Sequence, residues 1–433
     1  MTARELLPAE AAALVRPTDS IAVPLGPGAP MTLLAALGER DDWEALEVFG
    51  ALLLDLPVLF TRPGVRYLSG FFGPAERLLL DSGANIEMLP ADFRRFVILA
   101  ERFCPRVMTT VATPPDAQGR MSLSLHAGAT VRELRRAIAD PDRIVIVEVN
   151  EHYPRTVGLS PEHPHTLHVD EVDVLVVGDT PPFVLDDPPP TAVETAIAEH
   201  SRAYIDDGCT LQTGIGAVPS MVVSLLTEGS GGDYGVHSEM FTTGLMRLHE
   251  SGKVTNERKG QFRGFSVTTF ALGTPELYTW LDGNEAVRFL PVEVVNAPHT
   301  IARNHQVVSI NGALAIDLFG QVSADRVGGR QFSGIGGHED FVAASGLQLE
   351  DRSLICLPAT AEIDGRTVSR IVHALPAGST VTTPRHQVDV VITEYGAAEL
   401  RGATTRERAR ALAAIAHPDF RAELTAAAET VGP

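Results

Sequence analysis

The chain has 433 residues, 44% of them hydrophobic and 21% charged, which suits two or three domains that each bury a core. Its formal net charge of −20 excludes a nucleic-acid partner, because phosphate contacts need a basic face. No run approaches the roughly 18 uninterrupted apolar residues of a membrane span, so no membrane partner is expected.

Ile21 to Pro30 (IAVPLGPGAP) reads as a short apolar strand and a Gly/Pro turn, and Met31 to Leu37 as the start of a helix. Val48 to Leu59 and Glu87 to Pro90 suggest further strands between helical pieces. Val107 to Leu125 predicts a strand, a Pro-Pro-Asp turn and a second short strand. The helix Val131 to Ala139 leads into Arg143 to Asn150, whose continuous apolar run suits a parallel strand covered on both faces. Strands alternating with helices predict an α/β layer fold. Thr180 to Pro190 contains five prolines, and proline, lacking an amide hydrogen, continues neither a helix nor a central strand. The segment therefore marks a boundary between two domains, 1–185 and 191–433.

Beyond it, Thr191 to Ile205 predicts a helix and Cys209 to Gly216 a strand with a glycine turn. Gly214-Ile215-Gly216-Ala217-Val218-Pro219 opens an apolar helix much as Gly26-Pro27-Gly28-Ala29-Pro30 does earlier, which suggests two related halves. Phe265 to Leu272 reads as a strand, Thr274-Pro275-Glu276 as a capped helix start, and Ala286 to Asn296 as another strand. Gln306 to Ile310 and Ala313 to Leu318 flank Asn311-Gly312, a strong hairpin signal. The glycine loop Gly334-Ile335-Gly336-Gly337 feeds a helix containing His338, Glu339, Asp340 and Phe341. Ser353 to Leu357 and Val388 to Thr393 are late strands, and Thr404 with Glu407 forms a capping box.

The candidate nucleophile is Glu239, a lone carboxylate in the segment Tyr234 to Gly244 (YGVHSEMFTTG), where a strand end can hand one side chain to a cleft. A carboxylate there can attack an activated acyl group and form a mixed anhydride. The competing reading is that Glu239 caps the helix starting near Leu245. Glycine loops such as 334–337 and 214–216 let backbone amides approach an oxyanion or pyrophosphate. Glu394, ending the apolar run before Tyr395, is a second strand-end carboxylate that could position water or an acid. The only lysines, Lys253 and Lys259, lie with Arg258 and Arg263 in a basic patch that could receive phosphates, or could be a solvated face. Glu162, His163, His165, His168 and Asp170 read as an exposed His-rich loop, and no metal site is expected. Cys104, Cys209 and Cys356 lack CxxC spacing and read as reduced thiols. With no apolar stretch near the N-terminus to suggest a signal peptide, a cytoplasmic protein is expected.

Nine stretches carry a resemblance: TPPDAQGRMSL (113–123), VEVNEHYPRTVG (147–158), GCTLQTGIGAVPS (208–220), GVHSEMFTTGLMRL (235–248), VNAPHTIARN (295–304), INGALAIDLFGQVSAD (310–325), FSGIGGHEDF (332–341), VTTPRHQVDVVITEYGAAELRG (381–402) and IAHPDFR (415–421). On these the chain resembles the acetyl-CoA hydrolase/transferase family, in its butyryl-CoA and 4-hydroxybutyrate CoA-transferase branch. The resemblance implies two tandem open α/β domains of the CoA-transferase (NagB/RpiA-like) type. It implies transfer of CoA between short-chain carboxylic acids through a glutamyl-CoA thioester on Glu239, with hydrolysis of acetyl-CoA or a non-catalytic acyl-CoA sensor as the alternatives. Gly336, Asn296 and Glu394 match residues lining the catalytic site. Gly214, Ile215, Gly216, Ala217 and Val218 match a CoA-contacting stretch, and Gly337 supplies backbone amides to CoA. No tightly bound cofactor is expected, since coenzyme A is a substrate, and a homo-oligomer is. The chain departs from the family's usual Gly-Gly-Gln-Val-Asp-Phe at His338 and Glu339, and from Phe-Ser-Asp-Gly at Thr242 and Thr243.

Overall fold

The computed structural model describes residues 3–186 and 189–432. Asp187 and Pro188 of the expected linker, and the domain limits Met1 and Pro433, lie outside the described residues. Two compact units result: Met1–Leu185 with Val267–Val295, and Asp186–Ser266 with Asn296–Pro433. The proline-rich segment does fall where the first unit hands over to the second. However, Val267–Val295, expected in the second domain, belongs with the first. Backbone bonds fix it there: Ala127 and Gly128 N–H donate to Thr269 O, Ala271 N–H to Leu125 O, and Phe289 N–H to Val157 O.

The first unit is built on an eight-stranded sheet of β1 (Arg4–Glu5), β2 (Ser20–Ala22), β3 (Leu46–Gly50), β4 (Val65–Ser69), β5 (Ile86–Met88), β6 (Val107–Ala112), β7 (Ile144–Asn150) and β8 (Val174–Gly178). Their order is β1-β8-β7-β6-β2-β3-β4-β5 and every neighbouring pair is parallel. β6 is buried throughout and β7 nearly so, as the two-sided cover of a parallel sheet requires. The expected strand, Gly/Pro turn and helix at Ile21 becomes β2, a short 3-10 turn Gly26–Gly28 and α1 (Met31–Gly38).

The second unit holds β9 (Thr210–Thr213), β10 (Gly235–Val236), β11 (Val307–Gly312), β12 (Arg352–Cys356), β13 (Val390–Thr393) and β14 (Gly396–Glu399), in the order β10-β9-β11-β12-β13-β14. All pairs are parallel except β13 with β14. From β9 the chain goes first to β10 on one side and then to β11 on the other. The order therefore reverses at β9, and in open parallel sheets the crevice beyond the carboxyl ends at such a point is where ligands bind. Around this sheet lie α2 (Ala192–Arg202), α3 (Ala217–Glu228), α4 (Thr243–Glu250), α5 (His338–Ser345), α6 (Thr405–Ala414) and α7 (Pro418–Thr430). The Thr404 side chain caps α6 by accepting from Glu407 N–H, as the sequence predicts.

Two expectations fail here. Asn311-Gly312 is no hairpin turn but the end of β11, paired with Ile355 and Cys356 of the parallel neighbour. Val307 to Ile310 is buried throughout and takes a partner on both sides, which a terminal hairpin would deny it. The Ala286 to Asn296 strand shortens to Val287–Phe289 and is followed by a helical turn, Val292–Val295. Pro291 lacks the amide hydrogen a continuing ladder needs, and its carbonyl instead accepts from Val294 and Val295 N–H. Among the described residues no helix is long and apolar enough to cross a membrane.

Candidate active site

Glu239 leaves the carboxyl end of β10 at the sheet's switch point, inside the second unit. The residues leading to it are pinned one after another. Val236 N–H donates to Asn256 Oδ1 at 2.9 Å, while Lys259 Nζ donates to Val236 O at 2.8 Å. His237 N–H donates to Leu211 O, its Nδ1 lies 3.0 Å from Asn304 Nδ2, and its ring packs edge-on against Phe341. Ser238, fully buried, donates its hydroxyl to Thr213 O at 3.0 Å. The backbone leading to Glu239 is therefore held in place before the carboxyl is reached. The cap of α4 is Thr242, whose side chain accepts from Leu245 N–H, so the capping reading of Glu239 does not hold.

The carboxyl itself meets three partners of the same unit. Asn296, wholly buried and reached from the helical turn 292–295, donates from Nδ2 to Glu239 Oε2 at 2.6 Å. The same nitrogen donates to Asp340 Oδ2 at 2.9 Å. Gly337, the residue before α5, lies so close that a Cβ there would stand 2.1 Å from Glu239 Oε2 and 2.6 Å from Asn296 Nδ2. Desolvation, opposed by the Asn296 hydrogen bond and reinforced by the neighbouring Asp340, pushes the Glu239 carboxyl up from 4.5 to about 8. Asn296 Oδ1 is buried with no hydrogen-bond partner among the described residues.

Gly336 holds a left-handed backbone, φ +56°, that turns the loop into α5, and Gly337 makes the contact with Glu239. His338 and Glu339 both reach Thr383: His338 Nε2 lies 2.7 Å from its hydroxyl, which donates to Glu339 Oε1 at 2.6 Å. A hydroxyl has one hydrogen, so His338 is the donor to Thr383 and carries its proton on Nε2. Burial drives the His338 imidazole down to about 4, which keeps it neutral. Two of the residues that depart from the family pattern, His338 and Glu339, thus anchor the start of α5.

The other expected residues fall as follows. Gly214 to Gly216 form the turn between β9 and α3, with Ile215 exposed and Gly216 at φ +117°, and Ala217 and Val218 open α3. Ser238 ties this turn to the Glu239 segment through Thr213. Glu394 does follow β13, and its Oε2 accepts from Ala359 N–H at 2.8 Å. The basic patch is consumed internally. Lys259, 3% exposed, donates to the carbonyls of Val236 and Phe265, and Lys253 to those of Leu226 and Gly229. Arg258 pairs with Asp233 and Arg263 with Glu257. The histidine-rich loop is not wholly exposed, since His165 is buried with Nε2 near Ser124 O and Thr156 Oγ1. No group of three or more potential metal ligands occurs among the described residues. Sequence reasoning gave no role to Asp340. Its signal was present: an acid inside a glycine-loop motif, at the third position of the helix that follows.

Fold and site define an open α/β protein with a desolvated carboxylate and an amide donor at a sheet's switch point. Residues 273–428 match the acetyl-CoA hydrolase/transferase C-terminal domain. The chain is similar to the succinyl-CoA:cyclohexane-1-carboxylate CoA transferase of Geobacter metallireducens, 37% identical over 97% of this chain and 94% of that protein. It is likewise similar to the 4-hydroxybutyrate coenzyme A transferase of Clostridium kluyveri, 36% identical over 92% of this chain and 90% of that protein. The crystal structure of RipA from Yersinia pestis superposes with a TM-score of 0.89 at 32% identity, covering 99% of this chain and 97% of that one. The chain belongs to the acetyl-CoA hydrolase/transferase family.

Proposed function

We propose that the protein is a CoA-transferase that moves CoA between short-chain carboxylic acids, with Glu239 as nucleophile and coenzyme A as substrate rather than resident cofactor. The observation that carries this reading is the Glu239 carboxyl held by Asn296 Nδ2 at 2.6 Å against Gly337. A carboxylate oxygen of Glu239 attacks the acyl-CoA carbonyl and the CoA thiolate leaves, forming a mixed anhydride. The thiolate then attacks the Glu239 carbonyl of that anhydride and expels the first carboxylate, leaving a glutamyl-CoA thioester. An incoming carboxylate attacks this thioester, and the same two exchanges in reverse release the new acyl-CoA and free Glu239. The thiolate is conserved throughout, so the cycle consumes neither water nor a proton. Asn296 Nδ2 donates to the oxygen that gains charge at the Glu239 carbonyl. The Gly214 to Val218 stretch, joined to the Glu239 segment by Ser238, would approach CoA through its backbone. Similar proteins named as transferases of succinyl-CoA and 4-hydroxybutyrate support the substrate class.

Incubation with acetyl-CoA, with and without a second carboxylate, tests the reading. Acceptor-dependent formation of a new acyl-CoA is expected, and borohydride during turnover should reduce Glu239 to the alcohol, read by peptide mass. Release of CoA that ignores the acceptor, or label on another residue, overturns it. Light scattering during size-exclusion chromatography measures the proposed homo-oligomer.

A further inference from the structure

Asn296 has two amide hydrogens and both go to carboxylates, Glu239 Oε2 at 2.6 Å and Asp340 Oδ2 at 2.9 Å. We propose that Asp340 is a positioning residue for the transfer, holding the Asn296 amide so that one N–H points at Glu239 in every covalent state of the cycle. The inference rests on the transferase reading. During turnover Glu239 alternates between a carboxylate and a neutral anhydride or thioester, and a neutral acceptor holds an N–H far less firmly than an anion. In those states Asp340 still offers its carboxyl oxygen to the Asn296 amide at 2.9 Å. A flipped amide would set Oδ1 against Asp340, so the flip is blocked whatever Glu239 carries. Asp340 is itself placed to do this: it is wholly buried and lies in the first turn of α5, where the helix N-terminus favours a negative charge. Phe341, the next residue and 1% exposed, packs its ring on His237 and fixes α5 to the segment that carries Glu239.

Asp340 is a charge that acts on Glu239 and raises its carboxyl. His237 turns its ring to Asn304 and Phe341, Lys259 turns its ammonium to backbone carbonyls, and His338 and Glu339 face Thr383. Asp340 therefore both orients the donor and raises the carboxyl it serves. The two effects separate by substitution. Asp340→Ala removes acceptor and charge; Asp340→Asn keeps an acceptor oxygen of the same reach for Asn296, removes the charge and puts an NH2 in place of the second oxygen.

The experiment measures kcat, KM for acyl-CoA and the pH profile of both variants beside wild type. Asp340→Ala is expected to lower kcat about 100-fold with KM changed less than about threefold, the signature of a group acting in the covalent states. Asp340→Asn is expected to recover to within about tenfold of wild type and to move the rise of kcat/KM to lower pH. Wild-type kcat in a folded Asp340→Ala, or an unshifted pH profile in Asp340→Asn, overturns the proposal. Carbodiimide modification of Glu239 against pH reads the same shift without turnover. If wild type shows no acceptor-dependent transfer, the functional reading fails by itself, while the modification profile still decides whether Asp340 sets the state of Glu239.

Discussion

Replacing Glu239 by Gln should make the protein more stable, and increasingly so as pH rises. Raising a carboxyl from 4.5 to about 8 corresponds to about 4–5 kcal/mol, at 1.36 kcal/mol per pH decade. Because its folded value lies above its unfolded one, the fold holds this proton more tightly than the unfolded chain does. The stabilisation from the protonated form is full below pH 4.5 and is lost as pH rises to about 8. Glu239 keeps part of its side chain in solvent, which brings the expected difference down to roughly 2–4 kcal/mol. Gln fills the same space, accepts from Asn296 with its carbonyl, and cannot ionise. Near pH 5 wild type and variant should melt within a degree or two of each other. Near pH 8.5 the variant should melt higher, on the order of 5–10 °C, while transferring no CoA. Thermal unfolding by circular dichroism across that range is the assay. Melting differences that are constant with pH, or that favour wild type at high pH, refute the argument that Glu239 is desolvated.

Three further outcomes follow from the same geometry. Gly337→Ala suits its backbone, φ −87°, yet its Cβ would sit 2.1 Å from Glu239 Oε2; activity should fall by at least about 100-fold with the melting temperature little changed, and retention of turnover would show that the loop yields. Lys259→Met leaves the carbonyls of Val236 and Phe265 without their donor, so urea unfolding should report a loss of about 1–3 kcal/mol, and kcat should fall because Val236 sits three residues before Glu239. In the first unit, buried Glu76, its carboxyl pushed up to about 7, accepts from Leu53 and Gly73 N–H with its two oxygens. Glu76→Gln turns an NH2 toward one of those donors and should lower stability by about 1–3 kcal/mol in urea titrations near pH 5, a loss that shrinks as pH rises through 7 because Gln, unlike Glu76, does not ionise.

Much of this was legible from the chain alone. The largely apolar run at Ile144–Asn150, the glycine turn before α3 and the Thr404 capping box are local patterns with local causes, and each formed where expected. Asn311-Gly312 misled because a turn signal is a local preference, overruled when β11 pairs on both sides. Lys259 misled because charge in a sequence says nothing of the carbonyls it will meet, here those of Val236 and Phe265. The return of Val267–Val295 to the first unit depends on hydrogen bonds to residues more than a hundred positions away, such as Thr269 to Ala127.

What the sequence determined by itself was the alternation of strand and helix and the identity of an isolated acid at a strand end, because periodicity and turn chemistry act over a few residues. The tertiary structure decided what that acid meets. Asn296 stands 57 positions from Glu239 and 44 from Asp340 in the chain, and only the folding of the second unit brings two carboxylates to a single amide and desolvates one of them.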